Sequence, residues 1–404
     1  MQKLVDNSTK TELAKTNWAF MQRIAIVTNE IPEYRYPVFK RLIKSPGIDC
    51  RILITSPIER SCVLARQNLP LKYSTTVRFW RTTRHRDSGT TQREQVPIPV
   101  ALIADLLSFR PNLIIAGDFG ARSLVCWLTA KLLPADFIIW SEEILTSARG
   151  RSWLQQRIRR FLAYRAHAYL AWGKPARDYL LILGVLPEQI FRCEQAIDNE
   201  RWTQLAAQFD HFQLRRELGL SGAVFLLVGR LVERKGIRNF IEAWNEATSR
   251  AGAPMSAIIV GSGDQEGELR ELVKGYRLTN VSFKGDLRTV ELARYYALAD
   301  VFVFPSLEDV WGLVVNEALC FGLPVLASQF AGSTQDLIAN SDLGIVFDPT
   351  NITEFATYLC QMAVSPPPID RKRCRERLDA VTFDHSYRAI LEMLDYLTLR
   401  RRKS

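Results

Sequence analysis

The sequence predicts an α/β protein of two doubly wound, Rossmann-like parallel-sheet domains facing a cleft. Three observations carry this. Short apolar runs alternate with amphipathic stretches of helical spacing, the rhythm of parallel strands covered by helices on both faces. That rhythm starts at Arg23, pauses in a polar helical connector from Thr203 to Leu220, and restarts at Ala223. A chain of 404 residues is also more than one hydrophobic core usually serves, so two domains are expected.

In order, strands are predicted at Ile24–Thr28, Arg51–Ile54, Leu113–Ala116, Phe137–Trp140 and Ala168–Ala171, with helices at Val38–Lys44, Val100–Phe109 and Leu124–Leu133 between them. After the connector come Ala223–Val228, Ala257–Val260, Val281–Phe283, Val301–Phe304, Pro324–Ala327 and Gly344–Phe347, then a last helix from Phe383. Ile237, Phe240, Ile241 and Trp244 fall at positions 0, 3, 4 and 7 of a helix, a spacing that aims one apolar face at a sheet. The expected divisions are a mobile extension over 1–20, a first domain over 21–200, a second over 201–382 and a terminal helix over 383–404.

Composition excludes several classes. No apolar run reaches the ~18 residues of a membrane span, and the longest candidate, Leu124–Trp140, is broken by Lys131, Pro134 and Asp136. The polar first 20 residues lack the apolar core of a signal peptide. Seven scattered cysteines without a CxxC pair argue against a disulfide framework or zinc site and fit a reducing cytoplasm. Four histidines argue against a His-rich metal centre, and no metal is expected. The net charge of +10 gathers in Arg78–Arg93, Arg149–Arg165 and Arg400–Lys403. The middle stretch has six arginines and no acid, with Trp153, Leu154, Ile158, Phe161 and Leu162 roughly on one helical face. Two readings stay open: a helix resting on an anionic membrane, or one that packs its apolar stripe inward and solvates its arginines. No binding motif accompanies the charge, so nucleic acid is not an expected partner.

The richest segment is Pro305–Leu319, PSLEDVWGLVVNEAL. It places an acidic loop at the carboxyl end of the strand Val301–Phe304 and opens a helix at Gly312. Ligands bind open α/β sheets there, and a helix N-terminus offers unpaired N–H groups to phosphate. Asp309 and Glu317 are eight residues apart, too far round the helix to share a face, so they suit different parts of one ligand. A second segment, Gly229–Gly236 (GRLVERKG), joins the strand Ala223–Val228 to the next helix. Gly229 permits close backbone approach, and Arg230 with Lys235 offers a planar fork and a point charge to a diphosphate. Read as residues alone, both segments are also compatible with solvated loops.

Together these residues resemble the signature of the retaining family 4 glycosyltransferases (glycosyl transferases group 1), which have the GT-B fold. In that family two acids stand eight apart around a Phe-Gly or Trp-Gly pair, here Trp311-Gly312. The first is usually Glu; this chain has Asp309, one methylene shorter, and the adjacent Glu308 has the wrong spacing. The resemblance implies a nucleotide-sugar donor. Arg230 and Lys235 would hold its diphosphate with the N–H groups of Gly312 and Leu313, Glu317 its ribose hydroxyls and Asp309 the transferred sugar. Arg230, Lys235, Asp309 and Glu317 are thus the catalytic candidates. Gly229, Gly261 of the Gly261–Asp264 loop and Leu287 of the Gly285–Arg288 loop would frame the nucleotide. Asp198 matches an interdomain stretch, and the last helix would return to the first domain.

Acceptors bind the first domain of this fold. Many relatives carry a His after the strand corresponding to Phe137–Trp140, where this chain has Ser141-Glu142-Glu143, and His85, His167, His211 and His385 all lie elsewhere. Glu142 or Glu143, and Tyr34 and Arg35 of the loop Asn29–Pro37, are the acceptor-side candidates. No Asp-x-Asp appears, so the phosphates are expected to be held without metal. The implied reaction is retaining sugar transfer to a hydroxyl of a sugar or glycolipid acceptor in polysaccharide or glycolipid synthesis. The setting would be the cytoplasm, with the inner face of the membrane as an additional contact. Rival readings are a phosphorylase, a sugar-nucleotide epimerase, and a nucleotide-sugar-binding protein without activity.

Overall fold

The computed structural model describes residues 21–84, 91–148 and 152–403. The extension expected over 1–20, His85, and Arg149 and Arg151 of the basic stretch lie outside the described residues. The strands, in chain order, are β1 (Gln22–Thr28), β2 (Ile48–Ile54), β3 (Leu71–Tyr73), β4 (Val77–Arg84), β5 (Thr91–Ile98), β6 (Leu113–Gly117), β7 (Asp136–Ser141), β8 (Ala168–Ala171), β9 (Ile190–Arg192), β10 (Ala223–Val228), β11 (Met255–Val260), β12 (Val281–Phe283), β13 (Val301–Phe304), β14 (Val325–Ser328) and β15 (Gly344–Phe347).

They form two large sheets. One runs β3-β2-β1-β6-β7-β8-β9 and the other β12-β11-β10-β13-β14-β15, so the sheets change over between Arg192 and Ala223. Parallel pairing is in register at Ile26↔Ile52 and Ile26↔Ile115 in the first, and at Leu226↔Ile258 and Leu226↔Phe302 in the second. The doubly wound α/β class expected from the alternating pattern is therefore the observed one. By compactness the chain divides into a first unit, Met1–Ile139 with Arg165–Ala168 and Glu392–Ser404, and a second, Trp140–Tyr164 with Tyr169–Leu391.

In the second unit the period of two along each strand sorts residues to opposite faces. Val224, Leu226, Phe302 and Phe304 enter one apolar core with Tyr296, Trp311 and Phe321. Phe225, Leu227, Val301 and Val303 enter the other with Phe240, Trp244 and Phe355. Ile237, Phe240, Ile241 and Trp244 are all buried in the helix Ile237–Arg250, as their spacing predicts. In the first unit, Arg401 of the last helix bonds to Asp136 at 2.6 Å, and His167 meets the same carboxylate at 2.7 Å. Burial works to raise the Asp136 carboxyl, but His167 and Arg401 outweigh it and hold it below its ordinary range.

Some elements differ from expectation. The connector Thr203–Leu220 is two helices, Asn199–Ala206 and His211–Glu217, because Asp198 and Asp210 each cap a new N-terminus, accepting from Arg201 N (2.9 Å) and Gln213 N (2.7 Å). The basic stretch Arg78–Arg93 contributes to an antiparallel hairpin, β4 with β5, whose polar, arginine-rich sequence hides a strand period. All seven thiols are free, and burial pushes those of Cys50, Cys126, Cys320 and Cys374 up to about 12. Among the described residues no helix is long and apolar enough to cross a membrane.

Candidate functional site

In the second sheet, β10 lies between β11 and β13, and the chain winds outward from it in both directions. The carboxyl ends of β10 and β13 therefore flank a topological switch point, where loops diverge and leave a crevice. The loop after β10 continues the ladder: Gly229 N donates to Val260 O at 3.0 Å and Leu231 N to Ser262 O at 2.8 Å. It then makes one helical turn, Glu233–Lys235, and leaves through Gly236 in the left-handed region (φ 65°). A Cβ on Gly236 would sit 2.1 Å from Pro305 O, so only glycine lets the loops after β10 and β13 touch. Three bonds tie them there, since Arg234 O accepts from Leu307 N (2.9 Å), Glu308 N (3.2 Å) and Ser306 Oγ (3.1 Å). Gly236→Ala is expected to destabilise the fold by about 2–3 kcal/mol through the clash and the strained φ, measured by urea denaturation.

The loop after β13 turns Asp309 inward and leaves Glu308 exposed. Asp309 is 8% exposed. Its Oδ2 is ion-paired with the Lys235 ammonium, and its Oδ1 accepts from Trp311 N at 3.3 Å. Lys235 Nζ also lies 5.6 Å from the centroid of the Phe304 ring. The backbone of Asp309 bonds both ways to the loop after β14, to Phe330 O (3.4 Å) and from Gly332 N (3.0 Å). The acid is thus held from three loops at once. The structure brings Lys235 and Asp309 onto each other, whereas the sequence reading gave each a separate ligand group.

Gly312 starts the helix Leu313–Cys320 at φ 96°, with no side chain capping it. A Cβ on it would meet the Phe304 ring at 2.4 Å. The first N–H groups of this helix have no intrahelical acceptor and carry the positive end of its dipole. Glu317, just over one turn in, accepts from Tyr296 Oη at 2.8 Å. Burial pushes its carboxyl up to about 7, against the opposing pull of the Tyr296 hydrogen bond. Glu317 and Asp309 make no bond to each other, in keeping with their spacing; the fully buried Trp311 stands between them in sequence and donates to Asn316 Oδ1 at 2.9 Å.

Arg230 is exposed, and its guanidinium makes no hydrogen bond or ion pair among the described residues. Gly261 N donates to Gly285 O at 2.8 Å, and a Cβ on Gly261 would lie 1.9 Å from Gly229 O, so the three glycines hold adjoining loop backbones together. Ser262 Oγ bonds Asp286 at 2.5 Å, and Leu287 packs half-buried on the core. Gly229, Lys235, Gly261 and Asp309 therefore belong to one connected set of loops, while Arg230 stands at its exposed rim.

The acceptor-side candidates lie on other elements. Glu142, half-buried, follows β7. Its neighbour Glu143 is engaged by Arg159, Nε to Oε2 at 2.7 Å, a structural partnership and not an open acid. In the first unit, Arg35 donates to Thr28 Oγ1 at 3.3 Å and its guanidinium lies 5.8 Å from the Tyr34 ring. The other described histidines serve as carboxylate partners, His211 to Asp300 and His385 to Glu194.

One group escaped the sequence reading. Buried Arg122 bonds Asn29, Thr55 Oγ1 (3.0 Å), Gly117 O (3.2 Å) and Asp118 (2.6 Å), at the carboxyl ends of β1, β2 and β6. Asp118 takes φ 68°, unusual for a residue with a Cβ. The signal available was Gly117-Asp118-Phe119-Gly120 directly after an apolar run. Tyr296, the partner of Glu317, carried no signal at all.

Residues 211–378 match the family of glycosyl transferases group 1. A sulfoquinovosyl transferase, SQD2 of Arabidopsis thaliana, is 28% identical over 280 residues, covering 66% of this chain and 53% of that protein. The chain thus aligns with about half the length of this relative. Among solved structures, Anabaena HepE in complex with UDP superposes with a TM-score of 0.71 at 18% identity, over 93% of this chain and all of the other. The lipopolysaccharide outer core galactosyltransferase WaaB gives 0.70 at 13% identity, over 93% and 99%. This chain accordingly has the GT-B fold, and the residues that match the glycosyl transferases group 1 family, 211–378, include every donor-side residue described above.

Proposed function

We propose that this chain is a retaining family 4 glycosyltransferase that moves a sugar from a nucleoside diphosphate sugar to a hydroxyl of a sugar or glycolipid acceptor. Polysaccharide or glycolipid synthesis in the cytoplasm is the setting this reading implies. The observation that carries it is the meeting of Lys235 and Asp309, 74 residues apart, at the switch point beside an uncapped helix N-terminus. A cation and a dipole there suit a diphosphate, and the adjoining acid suits the hydroxyls of the sugar attached to it. HepE, solved in complex with UDP on the same fold, is in keeping with a nucleotide ligand for this reading.

In the reaction the acceptor oxygen forms a bond to the anomeric carbon on the face the leaving group departs. The C–O bond to the diphosphate breaks, its electron pair stays on the phosphate oxygen, and the acceptor proton passes to that oxygen. Lys235, Arg230 and the N–H groups at Gly312 and Leu313 stabilise the charge that grows there. No metal enters this reading, because the two cations and the helix terminus supply the positive field. Glu317 takes the ribose hydroxyls and Asp309 those of the sugar, which positions the donor for front-face attack.

Thermal stabilisation by UDP, GDP, ADP and their monophosphates, wild type beside Arg230→Ala, tests the donor side. Ligand at ~100 times its dissociation constant adds about 2.7 kcal/mol. The expected result is a diphosphate-selective shift that Arg230→Ala reduces; no shift with any nucleotide refutes the assignment. Nuclear magnetic resonance of the product's anomeric configuration tests retention. Binding without turnover on any hydroxyl acceptor would favour the inactive binding protein, and conversion of donor without acceptor the epimerase.

A further inference from the structure

We propose that the face carried by the helix Trp153–Ala163 docks this protein on an anionic lipid bilayer. The argument is independent of the donor site. The sequence left two readings open for this helix, and the structure splits its apolar stripe between them. Leu162 is buried, together with Ala163 and the Glu143-paired Arg159. Trp153 and Leu154 point outward instead, 67% and 55% exposed. Arg157 and Arg160 share the exposed side with them, followed by Tyr164, 71% exposed, at the end of the helix. The Arg157 guanidinium lies 4.9 Å from the Trp153 ring centroid, so cation and indole form one amphipathic unit.

The patch continues beyond the helix. An apolar groove of about 260 Å³ runs beside it, lined by Leu145, Ala148, Tyr179, Ile182 and Leu183 and edged by Arg160. Ile182 is 64% exposed. Tyr164 reaches the turn at Gly184, where a Cβ would lie 3.1 Å from its Oη, and Leu186 just past that turn is exposed as well. Isolated exposed apolar residues need no explanation, but a contiguous set of them does.

Charge selects the occupant. From Ile144 to Arg177 the sequence contains no acid and eight lysines or arginines. The bounding acids are already engaged, Glu143 by Arg159 and Asp178 by Lys174. Aromatic and aliphatic side chains interleaved with arginines along an acid-free stretch are the chemistry of an interfacial helix. The rings enter the headgroup boundary and the cations hold anionic lipid. A protein partner of that size would need acidic complementarity across a buried apolar patch; a bilayer supplies both at once.

The test is co-sedimentation with vesicles of phosphatidylcholine alone or with phosphatidylglycerol added, for wild type, Trp153→Ser/Leu154→Ser and Arg157→Glu/Arg160→Glu. The wild type is expected to bind the anionic vesicles at least tenfold more tightly than the neutral ones, and less tightly at higher salt. Each double variant is expected to lose at least tenfold on anionic vesicles, with an unchanged melting temperature to show that it folds. Failure of wild type to bind either vesicle overturns the proposal, as does equal binding by the charge-reversed variant. A concentration-dependent dimer that Trp153→Ser/Leu154→Ser dissociates, without vesicle binding, overturns it in favour of a second copy of the chain. None of these outcomes depends on the nucleotide, so the donor-site assignment stands or falls separately.

Discussion

Lys235→Met is expected to reduce sugar transfer by about 10²–10³-fold in kcat, the usual cost of removing one preorganised donor from a developing charge. It is also expected to destabilise the protein by about 3–5 kcal/mol, because it strands Asp309 as a buried, uncompensated carboxylate. The side chains of Lys235 and Asp309 are only 15% and 10% exposed, so solvent screens this pair little. The second substitution separates the two effects. Lys235→Met/Asp309→Leu removes both charges from the same space and is expected to recover most of the stability while leaving transfer at the low level. Urea denaturation and initial rates with a nucleotide-sugar donor measure the two quantities. If Lys235→Met retains wild-type transfer, Lys235 does not hold the leaving group. If it retains wild-type stability, the ion pair makes no net contribution.

The pairing also bears on how a donor would enter. The Lys235 ammonium is paired with Asp309. A diphosphate must therefore share or take over that cation, and in doing so it loosens Asp309 toward the sugar. On the proposed donor assignment, phosphate capture and sugar capture would be coupled through that one contact.

Glu317→Gln is expected to abolish a pH dependence that the wild type shows. Burial raises the folded-state carboxyl to about 7 from an ordinary 4.5. Between those values the Glu317 carboxyl is protonated in the native protein and ionised in the unfolded chain, so its contribution to stability falls as pH rises from about 4.5 to about 7 and is level outside that window. The full fall is roughly 3 kcal/mol. Glutamine keeps the Tyr296 partnership without titrating, so its curve should be flatter over the same range by that amount. Nucleotide binding should respond in the opposite sense. Ribose hydroxyls donate to the ionised carboxylate and favour it, so wild-type affinity should rise with pH through about 7. The Gln variant should bind about 10–100-fold more weakly above pH 7, with no such rise, as calorimetric titration with UDP would read. Parallel stability curves for the two proteins would remove Glu317 from the titration; equal affinities would remove it from the ribose site.

How legible the protein was depended on whether a feature is local. Strands such as Ala223–Val228 and the buried face of Ile237–Arg250 follow from periods of 2.0 and 3.6, which a short window of sequence contains. Glycines that had to be glycine were legible as turn formers, but the reason was not. Gly236 matters because Pro305 lies against it, 69 positions away in the chain, and no window of sequence holds both. The hairpin of β4 and β5 was missed because its residues are polar and basic, leaving no apolar period to read. Arg122 was missed for a further reason: this buried arginine bonds groups at the ends of three different strands, none of which marks it in sequence.

By itself the sequence determined the class of fold, the alternation of most strands and helices in the two large sheets, and the segments after β10 and β13 that carry Arg230, Lys235, Asp309 and Glu317. These are consequences of periodicity, turn chemistry and local motif. Only the tertiary structure decided how those residues are used. It paired Lys235 with Asp309 and buried Asp309 in preference to Glu308. It set Glu317 against Tyr296, where desolvation shifts its proton, closed Glu143 onto Arg159, and turned Trp153 and Leu154 outward while Leu162 went in. Burial, charge pairing and exposure depend on which distant segments come within a few ångströms, and that is settled by packing of whole sheets and helices, not by any one stretch of chain.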